Sequence, residues 1–428
     1  MTRIPTSTTQ TKRLALLHGP DRWWKPPLVH AMSYPGRFDV PRLQTALSLL
    51  ARRHSGLRTH FLPDGSIDEA GCLPAQEASW PFTFVEADPD ETKAAAQEAE
   101  AYTWLQADFD PYERPLVRAL LLRRSQDDVL GLSVEHSLFD GHSARILIED
   151  LSTVYEGLES RPESAFDVLA SDAVAFARDE RRWLDGDEGG AALAWWDEHN
   201  AGLGPYPRLQ LPETGPFDPD ETTIYYSVPL AEDEVASLQS RRLALRLSPF
   251  MLAAAAVTVT LREYAPTDDV AFLFSNSRRS WPSTKELVAY CANRSLLRLD
   301  AARTDSVASV AGRVRAASMK AIHHSMYSHE EYMRTRFPDS WERQPHTPYL
   351  LLNVMEQRTV PTIAGLPSPR VSLPTRPGVY NPPGIGLNLA IHRDGTGVLL
   401  SFHPQGMYDR SFIEELTCTV ARRCVTGE

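Results

Sequence analysis

The chain of 428 residues is 42% hydrophobic, enough to bury more than one core, so two lobes or domains are expected rather than one compact unit. Its formal charge of -12 gives no electrostatic basis for gripping a phosphate backbone, and nucleic acid is not expected as a partner. No apolar run approaches membrane-spanning length and the first residues show no signal-peptide pattern, so a soluble, cytoplasmic protein with no membrane association is expected. Cys72, Cys291, Cys418 and Cys424 are scattered without C-x-x-C spacing, which predicts buried thiols rather than a disulfide framework or a structural zinc site.

In chain order, the first clear element is a helix in "DVPRLQTALSLLARRH". Asp39 is placed to cap it, Pro41 suits a first turn, and Val40, Leu43, Leu47 and Leu50 recur on one face. Two apolar runs follow, Leu116 to Leu122 and Val129 to Val134. The polar turn Ser125 to Asp128 separates them, as in an antiparallel hairpin. The second run enters a polar corner, "EHSLFDGHS", and then a helix whose apolar face is Ala144, Leu147, Ile148, Leu151, Val154 and Tyr155, with Gly157 as its stop. From about Glu159 to Asp220 the chain is rich in Asp, Glu, Gly and Pro, as a connection between lobes would be. Beyond it, "LSPFMLAAAAVTVTLREY" reads as a buried helix and "DVAFLFS" as a strand. "YLLLNVMEQ", "IGLNLAIH" and "GVLLSFHPQG" read as further strands, the last two paired across "RDGTG". Helices and strands alternate without a fixed repeat, which predicts a mixed α/β (α+β) fold and excludes solenoids and propellers.

The corner carries the chemistry. His136, at the end of a buried strand, sits on a rigid element and suits a general base. Asp140 cannot stay charged there without a cationic partner or several hydrogen bonds. Gly141 permits a turn, or a close approach that a side chain would block.

Together with its flanks, this corner resembles the central block of the condensation domains of nonribosomal peptide synthetases, in which a hydrophobic hairpin leads into H-H-x-x-x-D-G and a helix ending in Tyr-x-Gly. "ALSLLARRHSGLRTHF" is similar to the family's Arg-His-x-x-Leu-Arg-Thr block. "PTSTTQ", "WWDEHNAGLGPYPRLQLP" and "SNSRRSWPSTKELVAYCANRSLLRL" resemble its opening, inter-lobe and second-lobe blocks in the family's order. The resemblance implies two chloramphenicol-acetyltransferase-like lobes forming a V-shaped pseudodimer with the active site between them. Residues 1-175 would form the lobe carrying the motif, 176-220 the connection and 221-428 the second lobe. It also implies His136 as the catalytic histidine, with Asp140 and Gly141 completing the motif. Counting back from Asn293 places Arg279 at the family's arginine, the expected partner of Asp140, and Arg58 and Glu135 are expected to support the site. The implied reaction is transfer of an acyl or aminoacyl group from a thioester to an amine or hydroxyl acceptor, with no metal and no bound cofactor. The donor would ride on the phosphopantetheine of an acyl or peptidyl carrier protein, or on coenzyme A.

Three positions depart from the family pattern: Glu135 replaces the first motif histidine, His142 the usual Trp, and Arg294 the usual Thr. No Gly-Gly-x-Ser carrier segment or adenylation module is present, so a freestanding, monomeric member supplied by a separate carrier protein is expected. Two alternatives remain: a noncatalytic condensation-like module that recruits a partner, and an α/β-hydrolase using Ser143, whose "GHSAR" lacks the second Gly of a nucleophile elbow. His323, His324, His329 and Glu330 lack metal-ligand spacing and read as a polar helix face. Trp23 with Trp24 and Trp195 with Trp196 read as packing anchors.

Overall fold

The computed structural model describes residues 2–18, 26–64, 66–166, 172–207, 211–216, 223–343, 349–356, 361–374, 384–392, 394–404 and 406–428, so Trp23 and Trp24 lie outside the described residues. The first lobe runs through β1 (Thr2–Pro5), α1 (Thr8–His18), β2 (Leu28–Tyr34), α2 (Val40–Arg53), β3 (Thr59–Phe61), β4 (Glu69–Cys72), β5 (Phe82–Glu86), α3 (Glu91–Gln106), β6 (Val117–Arg123), β7 (Asp128–Val134) and α4 (Gly141–Gly157). α5 (Ala173–Leu184) and α6 (Asp187–His199) lead into the second lobe. That lobe comprises β8 (Thr223–Leu230), α7 (Glu232–Ala244), α8 (Pro249–Arg262), β9 (Asp269–Asn276), β10 (Asn293–Asp300), α9 (Val307–His323), α10 (His329–Arg336), α11 (Pro338–Arg343), β11 (Tyr349–Glu356), β12 (Thr362–Ile363), β13 (Leu366–Pro367), β14 (Gly384–Ile391), β15 (Gly397–Pro404) and α12 (Arg410–Thr426).

Each lobe is built on one sheet: β2-β7-β6-β5 in the first, β10-β9-β11-β14-β15-β8 in the second. Both mix parallel and antiparallel pairs, with β5/β6 and β9/β11/β14 parallel. The expected hairpin is β6–β7, paired antiparallel from Val117 opposite Val134 to Arg123 opposite Asp128. α2 starts as its sequence predicts, with the Asp39 carboxylate accepting from the Arg42 N–H at 3.0 Å. The six residues read as the apolar face of α4 are all buried. α4 ends at Gly157 as its sequence predicts, and the glycine also makes room for packing, since a Cβ there would lie 2.3 Å from the Phe166 ring. Three of the cysteines are buried as expected, but Cys418 is exposed, its Sγ 3.4 Å from the Tyr226 hydroxyl.

Two loops of the second lobe reach back to the first. In the loop between β9 and β10, Val288 joins the first lobe's core, and its carbonyl oxygen would sit 2.1 Å from a Cβ at Gly56. Only glycine lets the two backbones come this close. The second loop is the segment 361–374. Its Ile363 enters the same core, and it adds to the open edge of β2, where the Ser33 N–H donates to Pro369 O and the Val371 N–H to Ala31 O, both at 2.9 Å.

Candidate active site

The strand β7 ends at Val134, one residue before Glu135, and His136 opens a 3₁₀ turn over His136–Leu138. The catalytic candidate therefore stands on a turn and not on the strand itself. Glu135 fixes that turn: its carboxylate accepts from the Ser137 N–H and hydroxyl, and it pairs with Arg13 of α1, whose Nη2 lies 2.7 Å from Oε1. Both charged groups are buried. α1 holds the turn a second time through Gln10 Nε2, which donates to Ser137 O at 3.2 Å. The His136 ring, half-buried, packs at a tilt on Tyr290 with centroids 4.9 Å apart. Burial foremost, with Glu330 adding to it, pushes the Tyr290 phenol up to about 12, so it stays a neutral donor.

Asp140 is the N-cap of α4 and the meeting point of the lobes. Its Oδ1 accepts from the Ser143 N–H and hydroxyl at 2.8 Å, and its Oδ2 accepts from the N–H groups of Cys291 and Ala292 at 3.0 and 3.1 Å. Arg279 Nη2 approaches both oxygens, at 2.7 and 2.9 Å, so the structure brings together the pair that the sequence comparison placed 139 residues apart. The adjacent Arg278, held at φ 51°, turns the other way and pairs with Glu180 of α5, both side chains fully buried. Consecutive arginines of the second lobe thus grip two acidic anchors, one in the first lobe and one in the connection.

Ser143 lies in the first turn of α4, which Asp140 caps. Its hydroxyl is fully buried among Asp140, Ala289 and Arg279, with no histidine among its partners. A nucleophile needs a free base in reach and an open approach, whereas the carboxylate against the Ser143 hydroxyl is held by Arg279 and the hydroxyl itself is buried. Arg58 is also corrected. It is not among the residues that line the channel, and its guanidinium donates instead to Leu73 O, just past β4 where that strand pairs with β3. Its neighbour His54 is structural as well, with Nε2 2.9 Å from the Asp150 carboxylate of α4.

Both lobes line a channel of about 1810 Å³. His136, Gly141 and His142 face it from one side, and Phe250, Tyr290 and Asn293 from the other. Burial, then the positive charges of Arg279 and Arg145, lower the His142 pKa and keep its ring neutral. Arg294, one of the departures from the family pattern, is accommodated by a salt bridge to Glu330 and by donation to the Tyr349 hydroxyl at 2.8 Å. That pairing occupies Glu330, while His324 stacks on Trp195 at 4.3 Å. Among the described residues no three His, Cys, Asp or Glu side chains gather as a metal site would require. Trp196 is a packing anchor, its indole N–H donating to His324 O at 3.2 Å.

Gly141 has an ordinary φ, and a Cβ on it would meet no protein atom within 4 Å. The turn does not require glycine; what the missing side chain leaves is open channel beside His136. Gly141→Ala should therefore leave the melting temperature unchanged or slightly raised, since alanine is the better helix former. If the channel carries substrate past this point, the same change should lower turnover by about tenfold or more. Equal turnover would show that nothing passes close to Gly141.

The fold and site define a class, the two-lobed chloramphenicol-acetyltransferase-like proteins whose H-x-x-x-D-G corner opens on an inter-lobe channel. Within that class, the model of the condensation domain matches residues 4–343, and the chain belongs to the condensation-domain family. Malpinin synthetase of Mortierella alpina is 27% identical over 354 residues, a match covering 81% of this chain but only 4% of that protein. Among solved structures, the condensation domain of the Monacolin K polyketide synthase MokA superposes with a TM-score of 0.80 at 15% identity, covering 100% of this chain and 98% of that one. The X-domain from teicoplanin biosynthesis superposes at 0.78 with 19% identity, covering 100% and 96%, and that X-domain has also been solved in complex with OxyB.

Proposed function

We propose that the chain is a condensation-type acyltransferase of natural-product biosynthesis, joining an acyl or aminoacyl thioester to an amine or hydroxyl acceptor. The observation that carries this reading is the placement of His136: a half-buried imidazole on a turn braced by Glu135 and Gln10, facing a channel that both lobes line. In this reading the acceptor nitrogen or oxygen attacks the thioester carbonyl while His136 takes its proton. The tetrahedral intermediate then collapses, the C–S bond breaks, and the thiol leaves with a proton. The first N–H groups of a helix lack intrahelical acceptors, so the amino end of α4 at Gly141 and His142 is suited to hold the developing oxyanion. Asp140 and Arg279 act as positioning residues, because both are used up in joining the lobes. The donor comes on the phosphopantetheine of a separate carrier protein or on coenzyme A, and the acceptor is a small amine or alcohol.

The assay is direct. The chain, given acyl-loaded carrier protein and a mixture of amines and alcohols, should release free carrier thiol and amide or ester product in equal amounts by mass spectrometry. Thioester consumption that yields only free acid, whatever the acceptor, would point to a hydrolase instead. The X-domain–OxyB complex favours a second reading, in which this fold serves as a noncatalytic platform for a partner protein. Under that reading no thioester would be consumed at all.

A further inference from the structure

The cations that line the channel are nearly all engaged. Arg13 is paired with Glu135, Arg145 with Glu149 and Arg294 with Glu330, and Lys12 lies over the Trp341 ring at 4.3 Å. Arg370 is the exception: among the described residues no carboxylate stands within ion-pair or hydrogen-bonding reach of its guanidinium.

Its position is nonetheless fixed. Arg370 lies on the segment 361–374, opposite Met32 in an antiparallel bridge, with backbone hydrogen bonds to β2 from the residues on either side of it. Residues directly opposite in an antiparallel pair project to the same face, as do alternate residues along one strand. Arg370 therefore shares its face with His30, and both line the channel. Both also line a smaller cavity of about 370 Å³ behind it, so together they form the partition between the two spaces.

His30 has a matching need, since its buried Nε2 meets no hydrogen-bond partner among the described residues. Burial first, and the positive charge of Arg370 second, lower its pKa to about 3, which leaves a neutral ring able to offer one N–H. Arg370 is open to solvent, yet the protein around it penalises its charge, and no counter-ion stands beside it among the described residues.

We propose that Arg370, with His30 beside it, is an anion subsite of the channel that receives the oxygens of a carboxylate or phosphate carried by a substrate. A guanidinium presents planar, forked N–H donors suited to such a group, and the imidazole adds a further donor. Two molecules could bring the anion: an acceptor with a free carboxylate, or the phosphate of a pantetheine arm. Which of them does so rests on the acyl-transfer reading; the subsite itself does not.

Calorimetric titration of the full chain separates these claims, using 3-phenylpropanoate against 3-phenylpropanamide and 4′-phosphopantetheine against pantetheine. At least one anionic probe should bind about tenfold more tightly than its neutral counterpart, as expected for charge-assisted hydrogen bonds. Arg370→Gln should abolish that preference, whereas Arg145→Gln, which removes a cation already paired, should keep it. A preference in the first pair assigns the subsite to an acceptor carboxylate, and one in the second pair to the donor arm. No preference in either pair, or one that survives Arg370→Gln, overturns the proposal. Because binding is read rather than turnover, either result stands whether or not the chain transfers acyl groups.

Discussion

His136→Ala should lower acyl transfer by about 10²- to 10⁴-fold, the usual contribution of a positioned general base, while the protein stays folded. The two halves of this expectation have separate grounds. The ring faces the channel and packs on Tyr290, where it can reach a bound acceptor. The turn beneath it is held by the Glu135 carboxylate and the Gln10 amide, neither of which depends on the imidazole. Turnover should therefore collapse with the melting temperature nearly unchanged, and a carrier protein or other partner should bind as before. Single-turnover rates with a loaded carrier, measured beside thermal unfolding, would decide the matter. Activity within about tenfold of the unmodified chain would remove His136 as the base. Activity absent from both proteins, with partner binding intact, would favour the platform reading.

The second large effect belongs to Asp140 and Arg279. Breaking a buried pair by deleting one partner leaves an uncompensated charge, and each of Asp140→Ala and Arg279→Ala should destabilise by about 3 to 5 kcal/mol. The side chains are 4% and 7% exposed, so solvent offers little relief. Asp140→Ala should be the worse of the two. It strands Arg279 and also removes the acceptor for three backbone N–H groups, those of Ser143, Cys291 and Ala292. The double variant should be less destabilised than the sum of the singles by about 0.5 to 3 kcal/mol. Denaturant unfolding of the four proteins measures this, and simple additivity would mean that the contact carries no energy of its own.

Much of the frame was readable from periodicity. The hairpin β6–β7 and the buried face of α4 follow from apolar runs and helical spacing, and the Asp140 carboxylate announced its need for a cation. The bracing of His136 was not readable. Arg13 lies 122 residues from Glu135, in a helix where Thr8, Thr9, Gln10, Thr11, Lys12 and Arg13 are all buried. A helix that turns polar side chains inward has no apolar stripe to mark its buried face, so hydropathy cannot orient it. Tyr290 sits in an irregular loop, where no period relates a residue to its surroundings. The segment 361–374, broken by four prolines, carries no strand alternation although it extends a sheet. Arg58 misled in the opposite direction. It belongs to a block similar across the family, but what that block does here is pack α2 and β3, with Gly56 admitting the backbone of Val288 and His54 binding Asp150.

The loop that carries Arg278, Arg279 and Val288 sets a limit on how such a protein can be cut and recombined. A chimera joined in the connection between α5 and β8 would exchange the second lobe whole, and with it both arginines and the backbone N–H groups that receive Asp140. The donor of the H-x-x-x-D-G half would then meet a foreign receptor for its own corner. The smallest portable piece of this active site is therefore discontinuous. It consists of the corner 135–143 with its α1 braces Gln10 and Arg13, the loop 277–292 with Glu180, and the segment 361–374, together with Gly56, whose lack of a side chain allows the loop to close down.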